Sequence, residues 1–592
     1  MCGIAGEIAF SGRRASRDSV LDMMGAMTSR GPDGRGTWDA GWVAMGHQRL
    51  SIIDLSPAGT QPMVDDGNVA ITFNGCIYNF KELRRELEPE FAFRSTSDTE
   101  VILKAYQKWG HDFVHHLTGM FAIAIADTRR NEVLLVRDRL GIKPLYVAPL
   151  PGRLRFSSTL PAILASGGID TSLDEVALHH YLSWHSIVPA PRTILNGVAK
   201  VPAATIRTVR PDGTWRDREY WKPEYTRKEQ HANWSAEDWQ DAIAEALRTA
   251  VRRRMVADVP VGVLLSGGLD SSLLVALLAE QGQHGLSTFS IGFDGAGGDS
   301  GNEFEYSDRI AETFGSNHER LHVNTADFAP AIPTAIAAMS EPMASHDVTA
   351  FHLLSEAVSR HLKVVQCGQG ADEVFAGYRY HQPLASVTRD EALNTFTAAF
   401  VDHGNQELAE MVEPEWWAGK DASRDVLATH LAAPGADTAL DAVLRLDTHL
   451  LMVDDPVKRL DNMSMAWSIE ARVPFLDQDL VELAAACPPE LKASQGGKGI
   501  LKDLGRRLLP HEVVDRPKGY FPVPALRHLE EPFITMVGDA LHAPEAKQRG
   551  LFRSDFIEGL LANPNERRTP VNSNVLWQVA LLEMWLQSHG VG

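Results

Sequence analysis

The chain has 592 residues, 44% hydrophobic and 23% charged, with a net charge of −20 at neutral pH. That length exceeds what one core organises, so two large domains are expected. The acidic balance argues against a nonspecific binder of nucleic acid or anionic membrane, and any anionic substrate must be met by local basic groups. Cys2, Cys76, Cys367 and Cys487 are too few and too scattered for a disulfide framework, and the absence of CxxC argues against zinc. No run of about 18 apolar residues predicts a membrane span, and the start lacks a signal-peptide pattern, so a cytoplasmic location is expected.

Residues 1–210 carry short strand-like runs such as VAITFNG and NEVLLVRD, broken by Gly, Pro and Asp, with helical patterns near 81–88 and 99–109. This mixture predicts an α+β layered domain. Proline-rich turns at IVPAPRTI and KVPAAT lead into PDGTWRDREYWKPEY, which places a linker over 211–235. From 236 to 592 helical patterns dominate, punctuated by apolar runs at 261–265, 287–293 and 363–367. Alternating strands and helices predict an α/β domain with a parallel sheet.

Cys2 follows Met1 in MCGIAG. Removing Met1 would leave a thiol and an α-amino group on one residue, a nucleophile beside its own base. RGPDG (Arg30 to Gly34), HQRLSIID (His47 to Asp54), NGCIYN (Asn74 to Asn79) and STSDTE (Ser95 to Glu100) follow in order. Alone, an Asn-Gly pair between strands reads as a hairpin turn. The ordered set resembles the glutamine amidotransferases of the N-terminal-nucleophile type over roughly the first 200 residues. That resemblance implies an αββα sandwich in which Cys2 attacks the side-chain amide of glutamine and releases ammonia. It implies that Arg49 and Asp98 hold the glutamine carboxylate and amino group, with Leu50, Ile52, Ile53 and Cys76 around them. The Asn74 side chain and the Gly75 N–H would form the oxyanion hole. The chemistry fits: a guanidinium matches a carboxylate in two-pronged fashion, and neutral donors stabilise a developing oxyanion. Many relatives carry Glu where this chain has Cys76.

The segment VPVGVLLSGGLDSSLLVALLAE reads as a buried strand, a Gly-rich loop and a helix starting near Ser271. Backbone N–H groups at such a loop attract phosphate. SGGLDSS (Ser266 to Ser272) resembles the pyrophosphate-binding loop of ATP pyrophosphatases, which activate a carboxylate by transferring AMP to it. STFSIGF, GQGADEVFAGY and MSMAWSIEARVPFLD agree, and the whole chain resembles the asparagine-synthetase family of two-domain amidotransferases. The resemblance implies ATP as co-substrate with Mg²⁺. Ser266, Gly267, Gly268 and Ser271 would cradle phosphate, and Leu264, Ile291 and Gly368 would line the adenosine pocket. Asp270 and Asp372 would hold Mg²⁺. Lys498 in GKGILKD would stabilise the reacting phosphate, although a loop lysine alone reads as solvated. Lys458 and Arg459 would add positive charge near the acceptor, and Lys518 would help close the site.

The acceptor is marked by Gln369. Asparagine synthetases carry Glu there, in a GEGxDE pattern. An amide removes a charge and a candidate base. NGCIYN, GQGADEVFAGY and SEPMASHD look most like the N-acetylglutaminylglutamine amidotransferases, which implies amidation of a blocked dipeptide to a neutral osmolyte. An asparagine synthetase is the alternative. A catalytically silent scaffold is a third reading, opposed by the intact Cys2, Asn74, Asp98, Asp270 and Asp372. The expected partners are small molecules, namely glutamine, ATP and the acceptor, with a homodimer as one allowed assembly. His179, His180 and His185 lack a clean metal spacing and read as a packed or solvated cluster. VRRRM (Val251 to Met255) reads as a solvated helix face or as support for a nearby acidic site.

Overall fold

The computed structural model describes residues 2–65, 68–295, 301–516 and 523–592. In the first domain two six-stranded antiparallel sheets pack face to face. One contains Gly3–Ala9, paired with Val43–Arg49 and Arg153–Ser157. The other contains Val69–Ile77, paired with Met63–Asp65 and Gly119–Asp127. The sequence FAIAIA in Gly119–Asp127 explains how the layers fit, because successive strand side chains face opposite sides. Ala122, Ala124 and Ala126 face the other sheet and meet Ile4, Ile8 and Met45. Phe121, Ile123 and Ile125 face outward and are covered by the helices Phe80–Leu87 and Asp98–Trp109. The helix Arg17–Gly25 covers the first sheet through Val20, Met23 and Met24. The result is the expected αββα sandwich.

One boundary moves. The strands Thr205–Val209 and Trp215–Glu219 form a hairpin on the edge of the second sheet, so the first domain runs to Glu219 rather than 210. Trp215–Glu219 is a mostly exposed edge strand of polar residues, which is why it reads as linker.

The second domain has a five-stranded parallel sheet in the order Asn317–Val323, Ser287–Phe293, Val261–Leu264, Val364–Gln366, Glu470–Arg472. Helices wrap it, as predicted. In open parallel sheets ligands bind beyond the carboxyl ends of the strands. Here those ends carry Ser266 to Gly268, and Gly368 with Gln369.

Buried ion pairs join the domains. Arg30 and Lys143 of the first meet Asp461 of the second at 2.8 and 3.3 Å. Lys200 of the first meets Glu341 and Asp454 at 3.0 and 2.6 Å. Breaking one member would strand a buried charge, so these pairs specify how the domains dock. The basic run is likewise structural: Arg253 and Arg254 both bind Asp477, at 3.0 and 2.8 Å. His179 and His180 are buried and lie 3.0 and 2.9 Å from the Ser423 hydroxyl, a packed cluster.

Candidate active sites

The first site is a narrow cavity in the sandwich, lined by Cys2, Arg49, Leu50, Ile52, Ile53, Gly75, Cys76 and Asp98, together with Gly59, Gln61, Phe73, Ser97 and Thr99. Cys2 is buried, and its N–H donates to Asn74 Oδ1 at 3.0 Å. Asn74 lies within Val69–Ile77 and is fully buried; its Nδ2 has no hydrogen-bond partner among the described residues. A buried amide donor left open beside a thiol suits an oxyanion. Gly75 is required by space, since a Cβ there would lie 2.1 Å from the Met120 carbonyl oxygen.

Burial raises the Cys2 thiol above its ordinary pKa. A thiolate there therefore needs a base or a charge partner. His47 does not offer a cation, because burial lowers it to about 3. Arg49 is steered by backbone carbonyls: it donates to Ser56 O at 3.0 Å and also to Asp54 O. Asp98 opens the helix Asp98–Trp109, and its Oδ2 accepts from Ile77 N–H at 3.1 Å. Burial raises its carboxyl to about 6.

That value makes a prediction. Only ionised Asp98 pairs with an ammonium, and the ionised form prevails above its pKa. Glutaminase kcat/KM is therefore expected to fall as pH drops through about 6, and Asp98→Asn should flatten that limb. An unchanged acid limb in the variant would remove Asp98 from glutamine recognition.

Cys76 lies at the same cavity and accepts a hydrogen bond from Arg472 Nη2 at 3.6 Å. Arg472 also donates to Glu470 Oε1 at 2.6 Å. The edge strand of the second domain thus supports the first cavity. Nearby positive charge, Arg472 included, outweighs burial and holds the Glu470 carboxyl at about 2.

The second site is a cavity of about 280 Å³ at the strand tips. Leu264, Ser266, Gly268, Asp270, Ser271, Ile291, Gly368, Asp372 and Lys498 line it together. Gly267 instead packs on the helix Phe304–Phe314: its φ is +73°, and a Cβ would lie 2.5 Å from Ser307 N. The loop is self-braced, with Ser266 N–H donating to Ser271 Oγ at 3.2 Å and Gly268 N–H to Ser266 Oγ at 3.3 Å. Lys498 has a left-handed φ of +56° and is buried, not solvated. Its ammonium lies 2.6 Å from Asp270 and 2.8 Å from Asp372. Burial opposes its charge, but the two carboxylates hold its pKa above the usual lysine range. A cation already rests where two carboxylates converge, beside the Gly-rich loop Ser266 to Ser272. That donor set suits Mg²⁺ completed by phosphate oxygens and water. Arg516, paired with Glu303 at 2.9 Å, also faces this cavity and has no motif of its own.

A third cavity, about 560 Å³, shares Gln369 and Asp372 with the second. Arg459 lines it, with Glu373, Tyr378, Tyr380, Phe400 and Asp447. Lys458 does not: its ammonium is buried against Glu341 at 3.4 Å, next to the Lys200 pair. One helical step separates the two basic residues, which turns them in different directions. Lys518 lies outside the described residues.

Ser97 and Thr99 were within reach of the sequence, since they flank Asp98 in one motif. Gln61 was not. It accepts from Phe73 N–H at 2.7 Å and donates to Thr99 Oγ1 at 3.0 Å, contacts between separate segments.

A glutaminase sandwich docked on a nucleotide-binding parallel sheet defines a glutamine-hydrolysing, ATP-dependent carbon–nitrogen ligase. The chain belongs to the asparagine synthase family, whose model matches residues 242–587, while a glutamine amidotransferase domain matches residues 1–221. It is 28% identical to glutamine-hydrolyzing asparagine synthetase 1 of Bacillus subtilis (strain 168), over 99% of this chain and 96% of that one. Glutamine-hydrolyzing asparagine synthetase 3 of the same organism is 30% identical, over 88% and 87%. The amidase chyE of Penicillium rubens is 32% identical over 64% of this chain and 59% of that one. No described helix is long and apolar enough to cross a membrane.

Proposed function

We propose that the enzyme amidates N-acetylglutaminylglutamine, with Cys2 as the glutaminase nucleophile. The α-amine exposed by removal of Met1 would take the thiol proton, and Asn74 Nδ2 with Gly75 N–H would stabilise the tetrahedral oxyanion. Arg49 and Asp98 would hold the two ends of glutamine. In the second domain ATP would lie with its phosphates on Ser266, Gly268 and Ser271, and Lys498 would meet the developing charge. Asp270 and Asp372 would hold Mg²⁺, which supplies charge neutralisation on the phosphates. Transfer of AMP to the acceptor carboxylate releases pyrophosphate. Ammonia then attacks the acyl carbon, forms the amide bond and expels AMP.

The observation that carries the acceptor assignment is Gln369 at the junction of the second and third cavities. Its amide donates to and accepts from peptide groups, whereas the α-ammonium of aspartate would find no carboxylate at that position. Asparagine synthesis is the second reading, favoured by the names of the relatives. A competition between aspartate and N-acetylglutaminylglutamine, with glutamine, ATP and Mg²⁺, tests the choice. The dipeptide amide is expected as the main product. Asparagine as the main product would establish the second reading.

A further inference from the structure

The third cavity has a polar and an apolar set of lining residues. Gln369 and Asp372 mark the end that opens on the nucleotide cavity. The lining also includes Ile187, Phe400, Leu451 and Val571. Ile187, Phe400 and Leu451 belong to one hydrophobic cluster, and Val571 packs against it. Ile187 comes from the glutaminase domain, immediately after the helix Glu175–Ser183. Val571 comes from the loop before the helix Val575–Ser588, so four separated segments of the chain contribute these apolar residues.

Each carboxylate along the cavity has at least one partner, while Glu373 Oε2 and Asp447 Oδ1 have no hydrogen-bond partner among the described residues. Arg459 binds Asp347 and Asp455 at 3.2 and 2.6 Å. Lys498 binds Asp372 at 2.8 Å. Tyr378 donates to Glu373 at 2.7 Å, and His381 and Tyr380 lie 2.6 and 3.1 Å from Asp447. Among the apolar side chains an ammonium would find no partner, and a buried unpaired charge is strongly disfavoured.

Three local distortions surround the same space. His185 and Asn572, both lining it, adopt left-handed φ values of 51° and 65°. Asp447–Leu451 forms a π-helical turn whose two end residues face the cavity. Strained backbone and π-turns gather where a ligand is clamped. His185 is braced from both sides, its N–H donating to Asp402 Oδ2 at 2.9 Å and its Nδ1 lying 3.3 Å from Ser573 Oγ.

We propose that Ile187, Phe400, Leu451 and Val571 form a seat for a small, uncharged alkyl cap at the end of the acceptor remote from its reacting carboxylate. The glutaminase domain thereby contributes to acceptor selection as well as supplying ammonia. The acceptor class is an acid with its carboxylate at one end, amide groups between and a short acyl cap at the other. This rests on the reading of the third cavity as the acceptor site, and it adds which residues measure the cap and how long a cap they admit.

The test uses the full-length enzyme with ammonium chloride as nitrogen donor, so the first cavity takes no part. The acceptors are glutaminylglutamine carrying no cap, a formyl, an acetyl or a butyryl group. For the wild type, kcat/KM should rise about fourfold from the formyl to the acetyl cap as the added methylene fills the seat, the butyryl cap should be a poorer fit than acetyl, and the uncapped dipeptide should be slower by roughly a hundredfold or more. Val571→Phe should fill the seat and reverse the acetyl-to-formyl preference. Ile187→Ala should enlarge it and shift preference toward butyryl. Thermal melting checks that each variant is folded, and the ratio between caps within one variant is independent of the amount of folded enzyme. If the acetylated dipeptide is turned over but cap length and both substitutions leave the ratios unchanged, the seat is wrong and the acceptor reading stands. If no capped dipeptide is turned over while aspartate is, both fall.

Discussion

Replacing Cys2 with alanine is expected to abolish glutamine-dependent amide synthesis while synthesis from added ammonia continues. The expectation follows from the separation of the cavities. Cys2 lines only the first, and none of its lining residues is shared with the nucleotide cavity. Asn74 and Gly75 can stabilise an oxyanion only if a nucleophile creates one, and no other thiol does so: Cys76 is held by Arg472, and burial keeps it protonated. Loss of a covalent nucleophile typically costs roughly 10⁴-fold or more in kcat. Ammonia supplied from solution bypasses that step. Parallel assays of glutamate release, and of amide formation with glutamine or with ammonium chloride, decide the matter. If the folded variant lost ammonia-dependent synthesis too, the two sites would not be chemically separate.

The opposite pattern is expected of Asp270→Asn and Asp372→Asn. Each carboxylate lies within 2.8 Å of the Lys498 ammonium at the mouth of the phosphate loop. Neutralising either one would remove a proposed metal ligand and would weaken the anchor of Lys498 as well. Charge stabilisation of transferring phosphate by one such group is worth several kcal/mol, so pyrophosphate release should fall roughly 10²- to 10³-fold. Glutamine hydrolysis at Cys2 should persist, because these residues touch only the second and third cavities. Mg²⁺-dependent pyrophosphate release at the wild-type rate in both variants would remove the two aspartates from nucleotide chemistry.

Much of this was legible before any tertiary structure. The alternation FAIAIA encodes which face of its strand takes alanine and which takes bulk, because side chains alternate along any strand. SGGLDSS encodes a strand, a loop and a helix start, since phosphate-binding geometry needs only neighbouring residues and local torsions. The order of motifs from Cys2 to Glu100 encodes the glutaminase cavity. The hairpin ending at Glu219 was not legible, since an exposed edge strand has no hydrophobic signature. Lys458 and Arg459 look alike in sequence, yet the first is spent on Glu341 and only the second reaches the third cavity.

The sequence by itself determined the two fold classes, and it placed Cys2 in the first and the Gly-rich loop SGGLDSS in the second. These depend on covalent neighbours and on periodicities a few residues long. Only the tertiary structure decided how the domains dock, which carboxylates are spent on partners, and what encloses the acceptor. Arg30 and Asp461 meet across 431 residues of chain, and Ile187 and Val571 line one cavity. Burial likewise decided the protonation of Asp98, raising its carboxyl to about 6. Contacts and desolvation of this kind arise when distant segments exclude water together, and no local stretch of sequence carries that information.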